Sequence, residues 1–485
     1  MKLGEILHRD EYFCTEDIDA LFIGHITSDA NDIREDTLFF LTKGVSYDTS
    51  RLLPLILSKK PKVIVTEQWP DISTGDAAVA LVPSARRALA FGLYRRFLPD
   101  GLSVPLIGIT GTNGKTTTAT MLSHILSCEG KRVGRIMTGG IYIENEPLTD
   151  AYYSMTTPDP SVLYKTLATM KERACDAIVM EVSSHALALE KVAPLSFAIG
   201  IFTNLSEEHL DFHKSMEDYF RCKASLFSQC ALGIVNADDP YARRLQGEAP
   251  CPMISVGALY DATVTARCVE DLGLDGCRYL YRTDKLSFIA RLQTVGVHNV
   301  YNSMLALCAS ISLSVPPCRA KMHIGTLRGI CGRMERIAEA PTVYIDYAHT
   351  PEALRSTLKT VNSCKKQGQK LILVFGCGGD RDREKRPKMA RVAEEGADLI
   401  FITSDNPRTE AATQILTDIL GGFSTREKCH VISDRRQAIE SALAAARPCD
   451  TVLIAGKGHE RYTVDRHGYH PFDERKIVHD VLNKR

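Results

Sequence analysis

The stretch Gly108-Ile109-Thr110-Gly111-Thr112-Asn113-Gly114-Lys115-Thr116-Thr117 decides the fold of the middle of this 485-residue chain. An apolar run from Val104 to Ile109 leads into it and predicts a buried strand, and apolar residues at helical spacing after Lys115 predict a helix that stops at Gly130. A strand, a glycine-rich loop and a helix in this order form a phosphate cradle, because backbone N–H groups and the positive end of the helix face the anion. The stretch therefore predicts a nucleoside-triphosphate site.

In such a site Lys115 reaches the terminal phosphates and the Thr116 hydroxyl holds Mg²⁺, so ATP and Mg²⁺ are the expected cofactors. The predicted ATP-binding residues of the loop are Gly111, Thr112, Asn113, Gly114, Lys115, Thr116 and Thr117. The loop is a variant, since Ile109 stands where the common G-x-x-x-x-G-K-[ST] pattern has its first glycine. A chance match of the short core is the alternative, but the flanking strand and helix favour a phosphate site.

Composition narrows the class of protein. Lys+Arg and Asp+Glu both number 59, so no overall charge attracts nucleic acid or an anionic membrane. The first residues, Met1 to Ile6, lack the apolar core of a secretory signal, and no stretch is long enough to span a bilayer. The fifteen cysteines are scattered and form no C-x-x-C pair. We expect a cytoplasmic globular protein with reduced thiols, no nucleic-acid partner and no membrane insertion.

Short buried-strand runs recur along the chain, and a polar cluster follows each of them. Three such clusters are Glu181 to His185, Thr203 to Ser206 and Asn236 to Asp239. After the basic segment Arg328 to Arg336 the pattern restarts, with runs at 343–345, 371–375, 399–403 and 452–455. Parallel sheets gather such clusters at the carboxyl ends of their strands. We predict two sheets with polar rims and a cleft between them, preceded by a smaller α/β unit.

The chain resembles the Mur ligase family, which adds amino acids to the cytoplasmic precursor of peptidoglycan. The resemblance rests on ordered motifs over nearly the whole chain: Gly111–Thr117, Thr156–Pro158, Glu181–His185, Asn204–His213, Lys223, His298–Asn302, Gly332–Glu335, Asp346–Pro351, Gly376–Arg383, Asp405–Arg408 and Gly456–Glu460. It implies an α/β protein of three domains. These are an amino-terminal domain for the UDP-muramoyl substrate (1–100), a central P-loop ATPase domain with a parallel sheet (101–337), and a Rossmann-like carboxy-terminal domain for the incoming amino acid (338–485).

The family resemblance also implies a reaction. Within the family, the motifs resemble most those of members that join meso-diaminopimelate to UDP-N-acetylmuramoyl-L-alanyl-D-glutamate. The D-glutamate side-chain carboxylate would take the γ-phosphoryl group of ATP to form an acyl phosphate, which the amine then attacks. Because protein groups have little covalent work in this chemistry, positioning and charge neutralisation should supply the catalysis. By resemblance the catalytic residues are Lys115, Glu181, His209 and Lys223.

Three of these, with Thr116, are the metal ligands that the resemblance implies. Glu181 and His209 would bind Mg²⁺, and Lys223 would carry a carbamate (N6-carboxylysine) that binds it through oxygen. An ordinary helix lysine is the alternative for Lys223. His209 and His213 also stand at i, i+4, as in some zinc sites, but Leu210 replaces the glutamate of H-E-x-x-H and a magnesium role is preferred.

Further ATP contacts implied by the resemblance are Asn299, near adenine, and Arg333 and Asp346, near phosphate or ribose. A structural ion pair of Arg333 with Glu335 or Asp346 is the alternative. The roles of His349, Asp380 and Lys457 are left open.

The motif Asp405-Asn406-Pro407-Arg408 matches the one by which the family recognises diaminopimelate. Arg381 and Arg408 would bind the distal carboxylate and Asp405 and Glu460 the distal ammonium, in keeping with the affinity of a guanidinium for carboxylates. The full predicted set is Arg381, Asp405, Asn406, Pro407, Arg408, Gly456 and Glu460. A simple turn at Asn406-Pro407 is the alternative, but it leaves Arg408 unexplained.

The UDP-muramoyl-dipeptide contacts implied by the resemblance are Thr156, Thr157, Ser183 and Lys191, with Val45 to Tyr47 beside the uridine nucleotide. The chain departs from the family pattern here, with Asp29-Ala30-Asn31 for the usual Asp-Ser-Arg and Leu189 and Lys191 for a glutamine and an arginine. These departures leave open a paralogue that uses L-lysine or another acceptor, or a weakly catalytic binding homologue. We expect a monomer.

Overall fold

Three sheets follow one another along the chain in the computed structural model, which describes residues 1–43, 49–148, 155–210 and 212–484. The first sheet has four strands, the second eleven and the third six, and helices cover them. This confirms the predicted α/β class.

The amino-terminal unit is a four-stranded parallel sheet in the order β1-β2-β3-β4. Its strands are β1 (His25–Thr27), β2 (Thr37–Phe40), β3 (Val63–Thr66) and β4 (Ala78–Leu81), and its helices are α1 (Leu3–Ile6), α2 (Leu53–Ser58) and α3 (Ala85–Phe97). The Ser84 hydroxyl caps α3 by accepting from the Arg87 backbone N–H. The positions expected beside the uridine nucleotide, Val45, Ser46 and Tyr47, lie outside the described residues.

The central unit contains the quoted stretch, and it has eleven strands and seven α-helices in its described residues. The strands are β5 (Leu106–Thr110), β6 (Val133–Met137), β7 (Gly140–Ile143), β8 (Glu146–Pro147), β9 (Ala177–Glu181), β10 (Ile199–Phe202), β11 (Gly233–Asn236), β12 (Met253–Gly257), β13 (Val264–Asp271), β14 (Cys277–Arg282) and β15 (Ser287–Leu292). The helices are α4 (Lys115–Cys128), α5 (Pro160–Glu172), α6 (Ser184–Ala188), α7 (Met216–Ala224), α8 (Pro240–Glu248), α9 (Val297–Ser312) and α10 (Pro317–Ile324).

The predicted strand before the phosphate loop, β5, lies in the middle of this sheet, between β9 and β10, and all five of its residues are buried. Parallel pairing extends from β6 through β9, β5, β10, β11 and β12 to β13. Both edges are antiparallel, with β7 and β8 at one and β14 and β15 at the other, which the prediction of a parallel sheet did not include. Because β5 is paired in parallel with both β9 and β10, the carboxyl ends of the three strands bring together the phosphate loop, the cluster from Glu181 and the cluster from Thr203.

The carboxy-terminal unit is a six-stranded sheet in the order β16-β17-β21-β18-β19-β20, parallel except for β16, with a separate hairpin β22-β23. Its strands are β16 (Glu335–Glu339), β17 (Thr342–Asp346), β18 (Leu371–Phe375), β19 (Leu399–Ile402), β20 (Cys429–Val431), β21 (Thr451–Ala455), β22 (Tyr462–Asp465) and β23 (Gly468–Pro471). Its helices are α11 (Pro351–Ser363), α12 (Lys385–Gly396), α13 (Ala412–Leu420), α14 (Arg435–Ala445) and α15 (Glu474–Leu482). The predicted limit at residue 337 falls inside β16, so this sheet begins at Glu335.

Apolar residues link the units as well as filling them. The core of the amino-terminal unit continues onto one face of the central sheet, whereas α4 and α9 cover the other face. The carboxy-terminal sheet has its own apolar clusters, one on each face. All fifteen cysteines lie within the described residues and form no disulfide there, and none of the described helices is long and apolar enough to cross a bilayer.

Candidate active site

The phosphate loop joins the end of β5 to the start of α4. Gly114 has φ +84°, a left-handed conformation that favours glycine, and it places Lys115 as the first residue of the helix. The Asn113 backbone N–H donates to Asn204 Oδ1 at 3.0 Å, and the Asn204 amide donates back to Asn113 O at 3.0 Å. The loop is thus held in shape by the cluster that follows β10.

Lys115 folds back over this loop, with Nζ 2.9 Å from Gly111 O and 2.8 Å from Thr112 O. Burial lowers the pKa of Lys115, while the carboxylates of Glu181 and Glu208 oppose that shift. The ammonium therefore lies where backbone oxygens and two acids favour its charged form, at the mouth of the loop.

Thr116 and Glu181 form a pair of oxygen donors at the start of α4. The Thr116 hydroxyl donates to Glu181 Oε1 at 2.7 Å, and Glu181 is fully buried at the end of β9. Thr138, which follows β6, donates its backbone N–H to Glu181 Oε1 (3.1 Å) and its hydroxyl to Oε2 (3.0 Å). A hydroxyl and a carboxylate are the hard oxygen ligands that Mg²⁺ prefers, so this pair fits the predicted metal.

Lys223 lies on α7 with only 2% of its surface exposed. Its Nζ donates to Gly111 O at 2.9 Å and lies 4.7 Å from the centre of the Tyr219 ring. Burial, reinforced by the charge of Lys115, lowers the pKa of Lys223 well below its ordinary value. The alternative of an exposed helix lysine does not describe this side chain, which faces the phosphate loop as an amine that readily loses its proton.

The segment after β10 places His209 beside Glu208, with Nε2 and Oε2 3.8 Å apart. His209 has φ +57°, and its ring lies 4.9 Å from that of His185. Burial lowers the pKa of His209 to about 4, so the imidazole is neutral at pH 7. A neutral imidazole can bind a metal, but in the described structure the contacts of His209 are with Glu208, His185 and Tyr219, not with Glu181 or Thr116.

Arg333 crosses from the carboxy-terminal unit to the phosphate loop, where its Nη2 lies 3.2 Å from Thr116 Oγ1. Its guanidinium also lies over the Tyr347 ring at 4.4 Å, and its Nε is buried without a hydrogen-bond partner in the described structure. The predicted alternative, an ion pair with Glu335, does not form, because Arg475 takes that carboxylate. An orphaned guanidinium N–H beside the loop fits a phosphate oxygen.

Asp346 is placed differently from Arg333. One of its carboxylate oxygens accepts from the Met334 backbone N–H at 2.7 Å and the other from the Ala348 backbone N–H at 2.9 Å. The side chain is thus engaged within its own unit. Its role toward ATP stays a prediction.

Asn299 lies on α9, where it donates to Val295 O at 2.7 Å and accepts from the Asn302 amide at 3.1 Å. Asn302 Oδ1 in turn accepts from Thr118 of α4 at 3.3 Å. The predicted adenine contact therefore sits in a buried polar row that ends at the phosphate-loop helix.

The predicted muramoyl contacts gather beside Glu181. Thr157 donates to Glu181 O at 2.9 Å and accepts from the Ser183 backbone N–H at 3.0 Å, and Thr156 Oγ1 lies 2.9 Å from Thr138 Oγ1. Lys191 is turned to Asp159 at 2.6 Å. Its charge is already paired there.

In the carboxy-terminal unit, Arg381 and Arg408 both approach Gly378. A β-carbon at Gly378 would be 2.9 Å from Arg408 Nη1 and 3.9 Å from Arg381 Cγ. Arg408 has φ +51° and donates from Nη1 to Gly379 O at 2.7 Å, which holds its guanidinium against the loop. The structure therefore brings the two predicted carboxylate-binding arginines together.

The predicted ammonium-binding side surrounds Lys457, which is wholly buried and 3.3 Å from Asp405 Oδ1. Lys457 also donates to Asn406 Oδ1 at 2.8 Å, and the Asn406 amide donates to Glu460 Oε2 at 2.8 Å. Lys457 and Arg435 hold the pKa of Asp405 below its usual range, whereas burial and the charge of Asp405 raise that of Glu460. Gly456 lets Asp405 approach, since a β-carbon there would be 2.7 Å from Oδ2.

The structure adds four residues that the sequence prediction did not assign. Lys457 contacts the acidic residues of the predicted amino-acid pocket, and Thr138 donates two hydrogen bonds to Glu181. Glu208 lies 3.5 Å from His349 Nε2 across the gap between the units. Burial alone would raise the pKa of Glu208, but His349, His209 and Lys115 outweigh it and hold that pKa well below its usual range. Their positions in predicted motifs were the available signal for Glu208, His349 and Lys457; Thr138 had none.

Comparison with known proteins places the chain among its relatives. Residues 109–310 match the model of the Mur ligase middle domain, and residues 332–458 match that of the Mur ligase, glutamate ligase domain. The chain belongs to the Mur ligase family. This confirms the family that the sequence motifs predict, and with it an acid–amino-acid ligase class for the enzyme.

Individual Mur ligases are similar over the whole chain. The UDP-N-acetylmuramoyl-L-alanyl-D-glutamate–2,6-diaminopimelate ligase of Clostridioides difficile (strain 630) is 34% identical, with 100% of both chains covered. That of Chlorobium phaeobacteroides is 37% identical over 91% of this chain and 89% of the relative. A solved structure of an enzyme of this name superposes with a TM-score of 0.70 and 27% identity, covering 100% of this chain and 99% of the other.

Proposed function

We propose that this Mur ligase joins meso-diaminopimelate to UDP-N-acetylmuramoyl-L-alanyl-D-glutamate and consumes ATP through an acyl phosphate. The main support for this proposal is that the carboxy-terminal unit contacts the phosphate loop of the central unit. Arg333 Nη2 lies 3.2 Å from Thr116 Oγ1, so the unit with the Arg381–Arg408 pocket is docked against the phosphate loop. Full-length relatives with this name support the choice of both substrates.

The chain's own residues account for the first half of the reaction. The backbone of the phosphate loop and Lys115 hold the triphosphate, and the Nε of Arg333 adds a donor from the other unit. Thr116 and Glu181 would hold Mg²⁺ and His209 a second ion, which when bound neutralises phosphate charge. Thr156, Thr157 and Ser183 lie beside Glu181 and would position the carboxylate that accepts the phosphoryl group.

Lys223 supports the metal side in this proposal. An amine attacks carbon dioxide only in its uncharged form, and burial favours that form. The resulting carbamate would be an anion with two oxygens beside Gly111 and Lys115, which suits a magnesium site.

The second half of the reaction belongs to the carboxy-terminal unit. Arg408 and Arg381, which both approach Gly378, would pair with the distal carboxylate of diaminopimelate, and Asp405 and Glu460 would receive its distal ammonium. Lys457 balances one of these two acids, so the pocket retains about one negative charge for one ammonium. The other amine of the substrate is then free to attack the acyl phosphate.

The test is a reconstitution with purified protein. Phosphate release should require ATP, the muramoyl-dipeptide nucleotide and meso-diaminopimelate together, and mass spectrometry should find the amide product. L-Lysine and other acceptors in parallel reactions distinguish the related ligases. Failure to release phosphate with any acceptor would contradict the ligase assignment itself.

We also propose that the enzyme works as a monomer in the cytoplasm, as a step in peptidoglycan synthesis that serves cell shape and cell division. Its substrates, a nucleotide-linked sugar peptide and ATP, are cytoplasmic compounds. Sedimentation of the purified protein checks the monomer.

A further inference from the structure

One contact between the units has no part in the proposed reaction so far. The ring of His459, in the carboxy-terminal unit, lies directly on the α-carbon of Gly139 in the central unit. A β-carbon at Gly139 would be 2.5 Å from His459 Cδ2 and 2.9 Å from its Nε2. Because a real side chain never approaches so closely, only glycine lets the ring seat there.

Gly139 is adjacent to Thr138, which orients the carboxylate of Glu181. It follows Thr138, whose backbone N–H and hydroxyl both donate to Glu181. Its own carbonyl accepts from the Tyr142 hydroxyl at 3.0 Å. A ring that presses on Gly139 therefore fixes a short backbone segment that ends at Glu181.

His459 also contacts an aromatic ring of its own unit. Its ring lies 5.0 Å from that of Tyr347, and the guanidinium of Arg333 lies 4.4 Å from the centre of the same Tyr347 ring. Its Nδ1 is buried without a hydrogen-bond partner in the described part of the chain, so this ring is placed by packing and not by a polar bond. Burial and the charges of Arg333 and Arg475 lower its pKa to about 3, which keeps it uncharged at neutral pH.

His459 also borders the amino-acid pocket. The next residue, Glu460, is one of the two acids proposed to receive the distal ammonium, and it accepts from Asn406. One short loop thus contributes Glu460 to the proposed amino-acid pocket and places His459 against Gly139, next to the residue that orients Glu181.

We propose that His459 is a positioning residue that couples docking of the carboxy-terminal unit to the orientation of Glu181, through Gly139 and Thr138. The inference rests on the proposed role of Glu181 as a magnesium ligand. When the unit docks, the ring fixes the Thr138 donors and the carboxylate is held ready for the ion. When the unit leaves, that support is lost.

The test measures metal binding without turnover, using full-length protein, Mn²⁺ as the probe and the non-hydrolysable ATP analogue AMPPCP. His459→Ala should weaken Mn²⁺ affinity in electron paramagnetic resonance titrations by about tenfold, the usual cost of removing a residue that supports a metal ligand. His459→Phe, which keeps a flat ring, should restore most of it. His430→Ala is the matched control, because His430 stacks on Phe401 at 5.1 Å on the exposed surface of the same unit.

Two further measurements separate coupling from a general loss of structure. Amide exchange over residues 138–142 should accelerate in His459→Ala while the core strand β5 stays protected. In a double-mutant cycle, Thr138→Val should weaken Mn²⁺ binding, and adding His459→Ala should cost clearly less than it does alone. Additive losses, or unchanged affinity in His459→Ala, would overturn the inference. If the unaltered protein failed to bind Mn²⁺ with AMPPCP, the proposed function would fail instead.

Discussion

Lys223 shows at the scale of one residue how burial prepares a side chain for chemistry. Its amine faces Gly111 O, and its surroundings favour the uncharged form. An exposed lysine at pH 7 would stay charged and would not capture carbon dioxide.

We expect Lys223→Ala to lower ligation by about 10²-fold or more, as the loss of a group that stabilises developing charge does. Added bicarbonate should not restore the variant, but a small carboxylate should restore it in part. Steady-state rates and circular dichroism make the comparison. Arg221→Ala, on the exposed side of the same helix, serves as control, and full activity of Lys223→Ala would exclude the carbamate role.

We expect Arg408 to determine the selectivity between two amines that react alike. L-Lysine lacks the distal carboxylate, so its binding would leave Arg408 and Arg381 without their anion, and we expect specificity constants to favour meso-diaminopimelate by about 10² or more. Arg408→Ala should lower diaminopimelate use sharply and change lysine use little, and Arg408→Lys should not restore it, because a point charge lacks the guanidinium fork. Arg391→Ala controls for surface charge. Equal constants for the two amines would contradict the assignment.

At the scale of elements, Arg386 joins two helices beside the predicted amino-acid pocket. It lies in the first turn of α12, is wholly buried, and pairs with Glu410 at 2.9 Å and with Asp418 of α13 at 2.7 Å. It also donates to Gly378 O at 3.2 Å, in the loop that approaches Arg408. The shape of this loop thus depends on packing between helices as well as on its own sequence.

Arg386→Met should destabilise the protein by about 3 kcal/mol, since it leaves two carboxylates without their buried partner. The hydrogen bond from Arg386 lowers the pKa of Glu410 from 4.5 to about 2. A lowered folded-state pKa stabilises the protein above pH 4.5, and that contribution is lost as the pH falls toward 2. Urea unfolding should show Glu410→Gln less stable than the unaltered protein at pH 6 and the difference shrinking at pH 3. A constant difference would contradict the pairing.

Most of the strands and helices around the candidate site could be predicted from the sequence, but few of the contacts between them could. The predicted runs at 343–345, 371–375 and 452–455 form strands, because continuous apolar stretches favour buried parallel pairing. The antiparallel strands β13 to β15 went unpredicted, since their alternating residues give a weaker signal. The pairing of Glu335 with Arg475 and the complete burial of Lys457 are two such contacts. Both follow from tertiary packing, which spacing along the chain does not specify.

At the scale of the whole molecule, we expect the nucleotide site to be complete only when two units meet. Arg333 would complete it, because one guanidinium nitrogen contacts Thr116 and another, Nε, is buried without a partner in the described structure.

We expect Arg333→Ala to raise the KM for ATP by about tenfold or more, because a hydrogen bond to a charged group contributes about 1.5–3 kcal/mol. Thermal melts offer a second readout. A saturating analogue at about 100 times its Kd should stabilise the unaltered protein by about 2.7 kcal/mol and the variant by less at the same concentration. Arg336→Ala, an exposed arginine nearby, should behave as the unaltered protein, and an Arg333→Ala variant with the same KM would refute the bridge.

The chain passes between the central and carboxy-terminal units once, over residues 325–331, and this segment acts as a tether. Two surfaces joined by a short stretch of chain meet at an effective concentration that does not depend on the concentration of protein. Contacts across the gap, such as Lys388 with Glu207 at 3.6 Å and His349 with Glu208 at 3.5 Å, therefore need only a weak intrinsic affinity to hold the units together. Because weak contacts also break quickly, we expect the product to leave without a strong interface having to be broken at every turnover.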